Sequence, residues 1–439
     1  MITTQTMSKG WLFIMNILIK DILAVLPDEA ITCSVHISNG IIKSISTEPE
    51  NFIIDKTIFG NGKMLIPGLV NAHTHAPMTI LRNCADDLLF HEWLFGRILP
   101  LEEKLNREDI YWGTMLAITE MLRSGTTSFI DMYDFIDDMV RAVDDTGIRA
   151  VLSRGLVGDP NDLTVGESKL REALDTAERY EGRHNLTFML APHAPYTCDE
   201  GFQRVVAQEA KRTGMAINTH LSEGPVEIET IKKQYGCSPV ELMDRTGLLT
   251  DTTVAAHCVQ VTDSDIAILA ERGVTVATNP VSNLKLANGV APIPKMLKAG
   301  VKVALGTDGA ASNNTLNMFR ELSMLSLIHK GVNRDALAIT AQEGFSIATK
   351  GGAMAMGRND IGEIKPGNIA DLVILDIKCP NMQPVNNPQS ALAYSANGSE
   401  VETVIVGGRV LMENREFPHI DSDRVYHEVS KICERIGTR

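Results

Sequence analysis

The sequence predicts an α/β protein, a closed (β/α)8 barrel of the TIM type with a small β-sandwich domain built from both termini. Two observations predict it. From residue 65 onward, eight short β-rich apolar runs alternate with amphipathic helical stretches. Near-continuous apolar runs, each followed by a helix, indicate a parallel sheet buried on both faces. Eight such units are the count of a closed barrel, with an open doubly wound sheet as the other arrangement. Outside these units the character changes: residues 11–64 and 358–439 read as short strands with turns. Neither flank is large enough for a comfortable domain alone, so the expected division is 11–64 plus 358–439 as one composite β domain and 65–357 as the barrel.

Taken in order, NILIKDILAVL (16–26) reads as a strand, and ITCSVHI and IIKSIS form a hairpin around Asn39-Gly40. The preceding stretch GWLFIMNILI (10–19) follows Lys9 and has the length of a signal-peptide core. Lys20-Asp21 follows at once, no small-residue cleavage site appears, and a membrane helix needs about 20 apolar residues. Residues 1–10 are therefore expected to be a loose tail, and the protein cytoplasmic and free of membrane. The barrel runs are 64–72, 126–132, 149–156, 186–192, 215–221, 253–259, 274–280 and 301–308. Between them, helical patterns such as DIYWGTMLAITEMLRSG and DSDIAILAERG stop at Gly125 and Gly273. In the second flank, Pro366-Gly367 and Gly407-Gly408 mark turns.

Composition excludes several functions. The 439 residues carry 55 acidic and 41 basic side chains, a net charge of −14, with no local Lys/Arg run. A nucleic-acid surface needs a basic excess, so no nucleic-acid partner is expected. Seven cysteines include no C-x-x-C pair, and an odd count cannot all pair internally. That is neither a disulfide framework nor a thiolate zinc cluster, and it fits a reducing compartment.

Chemistry in such a barrel sits at the C-terminal strand ends, and five of the eleven histidines fall there. His73 and His75 lie two apart on a strand and face the same way, although H-x-H alone often marks a core or surface pair. With His220 and Asp308 on two other strand ends, three imidazoles and a carboxylate converge on one rim. The set suits one divalent metal, Zn2+ or Fe2+, with a position left for water. Glu223, in a loop three residues past His220, becomes a candidate proton shuttle in that setting. His257 offers a further polar contact at the same place. His193 and Arg154 read equally well as structural residues. A second metal would call for a lysine on the fourth strand, and LTFMLAPHAPYT has none. The H-x-E plus P-C-x-x-C zinc pattern of the cytidine-deaminase type is also missing.

PGLVNAHTHAPMTILR (67–82), the strand-end His220, His257-Cys258 and GTDGAASNN (306–314) resemble the amidohydrolase superfamily, over about residues 12 to 415. Its fold is a metal-bearing (β/α)8 barrel with a small β-sandwich from both termini. LSEGPVEIETIKKQYGCSPVELMDRTGLL (221–249) and NPVSNLKLANGVAPIP (279–294) narrow the resemblance to the deaminases of 5-methylthioadenosine and S-adenosylhomocysteine. Guanine deaminases and triazine hydrolases share much of the pattern. The resemblance implies His73, His75, His220 and Asp308 as ligands of one Zn2+, or Fe2+, per subunit. It implies Glu223 as the group handling the ring-nitrogen proton, with His257 and Asp308 as its catalytic companions. Substrate contacts would fall on Glu102, Arg154 and His193 beside Glu223 and Asp308. Read unaided, LEEK around Glu102 is the start of an exposed helix. The implied activity is hydrolytic deamination of an adenine nucleoside, with guanine-, pterin- or s-triazine-type aminohydrolysis as the alternative, in a homo-oligomer. One departure is Gly224, where the family more often has Thr; it is expected to loosen the loop that holds Glu223.

Overall fold

The computed structural model describes residues 15–46, 53–158 and 162–438, so the tail expected at 1–10 lies outside the described residues. The barrel strands are β1 (Leu69–Thr74), β2 (Thr126–Tyr133), β3 (Arg149–Leu156), β4 (Leu186–Pro192), β5 (Ile217–Leu221), β6 (Thr253–His257), β7 (Thr275–Thr278) and β8 (Lys302–Leu305). They lie side by side in sequence order. Across the seam, the Asp308 N–H donates to the His73 carbonyl at 3.0 Å and the Thr307 N–H to Asn71 Oδ1 at 2.9 Å. Val70, Ala72, Ile130, Val151, Met189, Val254, Ala277 and Ala304 form one buried cluster. Outward faces of opposite strands cannot touch, so a cluster drawn from seven of the strands is the barrel interior. A larger core fills the space between strands and helices, with Phe129, Phe202 and Phe319 fully buried in it. The helix Arg107–Arg123 and the helix Asp263–Glu271 stop just before Gly125 (φ 86) and Gly273 (φ 68), as their sequences require.

The terminal sheet also has eight strands: Ile17–Val25, Ala30–Ser38, Ile41–Ser46, Lys56–Phe59, Lys63–Pro67, Leu372–Asp376, Val401–Val406 and Arg409–Met412. Asn39 (φ 53) and Gly40 (φ 76) make its first hairpin turn, both left-handed as a two-residue loop demands. Its own core joins Ile17, Ile19, Val35, Leu65 and Ile374.

Two of the expected limits shift. The run at 64–72 is two strands, because Lys63–Pro67 pairs with Leu372–Asp376 in the terminal sheet and only β1 enters the barrel. The chain changes sheets at Gly68, where a Cβ would lie 1.9 Å from Thr127 Oγ1. No polar break marks the change because both strands are buried. The second flank is not strands alone: Ser422–Ile436 is a helix with Val425, Val429, Ile432 and Ile436 buried. It docks on the barrel, with Lys104 Nζ donating to the Ile436 carbonyl at 2.9 Å and Arg435 paired with Asp109.

Barrel and terminal sheet are joined by a buried ion pair. Arg149 at the start of β3 donates through Nε and Nη2 to Asp371, at 2.7 and 3.0 Å, with side chains 3% and 1% exposed. The Gly407 N–H donates to the same carboxylate at 2.7 Å. Removing one partner leaves a buried charge uncompensated, so Arg149→Ala is expected to cost about 3–5 kcal/mol in urea unfolding. A loss below about 1 kcal/mol, the range of exposed pairs, would contradict this. No helix among the described residues is long and apolar enough to cross a membrane, and all seven cysteines are free.

Candidate active site and metal centre

The ends of β1, β5, β6 and β8 bring five side chains to one point. His73 is fully buried, and its ring lies edge-on to those of His75, His220 and His257 at centroid distances of 5.0, 4.9 and 5.5 Å. His75 Nδ1 meets the Met132 carbonyl at 2.7 Å, and His220 Nδ1 meets the His193 carbonyl at 2.8 Å. A carbonyl only accepts, so each Nδ1 carries the proton, which in a neutral imidazole leaves Nε2 as a bare lone pair. Those two Nε2 atoms are 3.2 Å apart. Asp308 Oδ1 lies 3.3 Å from His75 Nε2 and 3.7 Å from His73 Nε2. Both ring nitrogens of His73 are buried without a partner. Facing lone pairs repel unless a cation stands between them, so the donor set fits a divalent metal.

The backbone is bent to deliver these groups. Ser222 (φ 51), His257 (φ 73) and Asp308 (φ 63) are left-handed non-glycine residues at the ends of β5, β6 and β8. Such conformations cost ~1–3 kcal/mol each and persist only where the surroundings hold them. The holders are visible. Asp308 Oδ2 accepts from Ser282 Oγ at 2.6 Å and Ser312 Oγ at 2.8 Å, which leaves Oδ1 toward the imidazoles. His257 Nδ1 donates to Asn283 Oδ1 at 2.8 Å, so its Nε2 faces Glu223 Oε2, 4.0 Å away. Glu223 Oε1 accepts from Asn288 Nδ2 at 3.0 Å, and the N–H groups of Ser222 and Glu223 both donate to Glu227 at 2.8 Å.

Gly224 does not leave this loop loose. A Cβ there would lie 2.9 Å from Asn288 Oδ1, so glycine is what admits the amide that holds Glu223.

Electrostatics follow from burial. Burial, reinforced by the neighbouring imidazoles, drives His73 and His220 well below the ordinary range, so both are neutral near pH 7. Burial, then His75, takes His193 to about 4. Burial alone would raise Asp308, but His257, His75 and His73 outweigh it and hold the carboxyl low. Burial opposes charge on His257, yet Glu223 and Asp308 outweigh it and the net shift is upward. Burial raises Glu223.

The remaining expected residues separate. His193 packs on His220, ring centroids 4.7 Å apart, and its Nδ1 meets Thr197 Oγ1 at 3.0 Å. Glu102 ends the short helix Leu99–Glu102 and is partly buried, not on an exposed helix start, and the Tyr133 hydroxyl at the end of β2 donates to it. Arg154 is turned to the outer rim, paired with Asp134 and, at 3.2 Å, with Glu172. Several neighbours escape sequence reasoning. Asp131 on β2 accepts from Thr74 Oγ1 and, at 2.6 Å, from the Ala76 N–H, and so braces both sides of His75. Tyr133 carries no motif, and Ser282, Asn283, Asn288 and Ser312 lie within the segments 279–294 and 306–314 that carry the family resemblance without having been singled out there. Glu227 had a signal: it stands three residues after Gly224, where a first-turn carboxylate reaches back over a helix start.

A parallel barrel with imidazoles and a carboxylate gathered at its strand ends defines a metal-dependent hydrolase. The amidohydrolase family matches residues 64–411. The chain is 46% identical over 420 residues to the 5-methylthioadenosine/S-adenosylhomocysteine deaminase of Dictyoglomus thermophilum, covering 95% of this chain and 98% of that one. It is 43% identical over 428 residues to the protein of that name from Caldanaerobacter subterraneus subsp. tengcongensis, covering 96% and 99%. The structure of an adenosine deaminase from Xanthomonas campestris with bound zinc superposes with a TM-score of 0.92 at 34% identity, over 97% of this chain and 99% of that one. The chain belongs to the amidohydrolase family.

Proposed function

We propose that the chain hydrolytically deaminates adenine nucleosides of the 5′-methylthioadenosine and S-adenosylhomocysteine type, releasing ammonia and leaving the inosine analogue. The observation that carries the reading is the juxtaposition of buried Glu223 with the His75–His220 lone-pair contact and with His257. The substrate class is supported by the relatives that carry that name.

His73, His75, His220 and Asp308 hold one Zn2+ in this reading, which supplies a Lewis acid and a nucleophilic water at neutral pH. Glu223 passes a proton to N1 of the purine, which makes C6 electrophilic. His257 Nε2 and Asp308 Oδ1 align the attacking water and accept its proton. The proton taken from the water passes to the amine, the C6–N bond breaks to release ammonia, and the proton of the C6 hydroxyl returns to Glu223, leaving a carbonyl at C6. Neutral His193 borders the substrate beside His220, and Arg154 serves at the rim, where Asp134 and Glu172 steady it. Glu102, oriented by Tyr133, accepts from the ribose hydroxyls.

Hydrogen bonds to a charged group contribute ~1.5–3 kcal/mol, so Glu102→Ala is expected to lower kcat/KM for nucleosides by about 10–100-fold. Unchanged nucleoside turnover would remove the ribose role. The broader test is ammonia release by the zinc-replete protein from a panel of adenosine derivatives and guanine. We expect release from the 5′-thioether nucleosides; release from guanine alone would overturn the reading.

A further inference from the structure

Glu227 takes no part in the chemistry above, yet the fold holds its carboxylate at considerable cost. The residue is 4% exposed, and burial pushes its pKa up to about 7. Its partners are two peptide groups and not a cation: Oε1 accepts from the Ser222 N–H and Oε2 from the Glu223 N–H, each at 2.8 Å. Ser222 at φ 51 turns these consecutive N–H groups inward, making the concave cradle that binds anions. Glu227 fills the cradle from the first turn of the helix Pro225–Tyr235, whose N-cap, Gly224, has no side chain to offer.

Ordinary loop amides are satisfied by water or a hydroxyl. Two bonds to successive amides do more, because they fix the backbone on both sides of the Ser222 Cα, up to the amide nitrogen of Glu223. That nitrogen carries the Cα of Glu223, whose carboxyl is held by Asn288 on one oxygen and faces His257 with the other. A displacement of about 1 Å at a reacting group can lower a rate by on the order of 10²-fold.

We propose that Glu227 is a positioning residue, a bidentate clamp on the Ser222 and Glu223 amides that sets the Glu223 carboxyl against the ring nitrogen of the substrate. The proposal rests on the proton-transfer role given to Glu223. It differs from a purely structural helix start in one respect: its loss acts on turnover and not on substrate affinity or metal content.

The test uses the full zinc-replete chain and 5′-methylthioadenosine, with Glu227→Ala, Glu227→Gln and Glu223→Gln measured beside the parent. Ammonia release gives kcat and KM, elemental analysis gives zinc per chain, and hydrogen exchange reads the peptide spanning residues 217–228. Glu227→Ala is expected to lower kcat by on the order of 10²-fold at nearly constant KM and zinc content. Exchange should quicken at residues 222 and 223. Glu227→Gln keeps one carbonyl acceptor and should recover about tenfold of that loss. Should the alanine variant fail to fold, the glutamine variant carries the test, with a roughly tenfold fall in kcat expected at unchanged KM and zinc. Parental kcat in both Glu227 variants while Glu223→Gln is inactive would overturn the clamp alone. A fall in kcat matched by lost zinc or raised KM would also overturn it. Parental turnover in Glu223→Gln would instead remove the role of Glu223 on which the clamp depends.

Discussion

His73→Ala is expected to purify as a folded chain that retains little zinc and shows no measurable deamination. His73 is the central ring of the cluster, edge-on to three other imidazoles, and the only one whose two nitrogens are both buried without a partner among the described residues. Its bonding capacity is therefore reserved for something other than protein. Losing the metal removes several kcal/mol of transition-state stabilisation, and at ~1.4 kcal/mol per decade that is on the order of 10³-fold or more in rate. The stability readout should separate the metal from the fold. With zinc in excess the parent gains RT ln(1 + [L]/Kd) and the variant does not, so zinc should raise the parental Tm alone. Full zinc content in the variant, or a parental rate, would refute the placement of the metal at this ring.

Glu223→Gln should behave in the opposite way, keeping zinc and losing turnover by about 10²–10⁴-fold. The substitution keeps size and shape. Asn288 Nδ2 can still donate to an amide oxygen, and the clamp by Glu227 acts on the backbone and is untouched. What the amide cannot do is accept and return a proton. Zinc content distinguishes the two variants: a metal-free Glu223→Gln chain would make Glu223 a supporter of the metal, and near-parental turnover would free it of any catalytic role.

Much of the fold was legible in the sequence because its period is regular. Each barrel strand is a short apolar run followed by a helix, and the strand ends carry polar residues that a buried core would not tolerate without purpose. His73, His75, His220, His257, Asp308 and Glu223 were all legible from position, and the structure brings them together. What was not legible depends on contacts distant in sequence. Pro67 and Leu69 belong to different sheets although the apolar run never breaks, since burial is complete on both sides of Gly68. The helix Ser422–Ile436 did show helical spacing in Val425, Val429, Ile432 and Ile436, but the strand-like residues before it dominate the flank. Glu102 looked exposed because nothing nearby in the chain announces that Tyr133, 31 positions on, folds over it. Ser282 and Asn283 on the helix Pro280–Lys285, Ser312 on the helix Ala310–Asn313 and Asn288 beyond the first of these lie in segments that carry the family resemblance, but which group each one orients is set only when the barrel closes.

The terminal sheet has a consequence for how the chain is made. Met64 pairs with Leu375, so this strand leaves the ribosome 311 residues before its neighbour exists. At ~5–20 residues per second that is an interval of about 15–60 s, long compared with the folding of most small domains. Throughout it, the strand can pair with Ile17–Val25 on one side, but the edge that will meet Leu372–Asp376 stays open, the condition that favours pairing with a second nascent chain. The barrel can assemble during the same interval, and the Arg149 side chain then waits at its base for Asp371. Completion of the sheet is thus a late event of synthesis, and chains cut short before residue 372 would carry all eight barrel strands above a permanently unpaired edge.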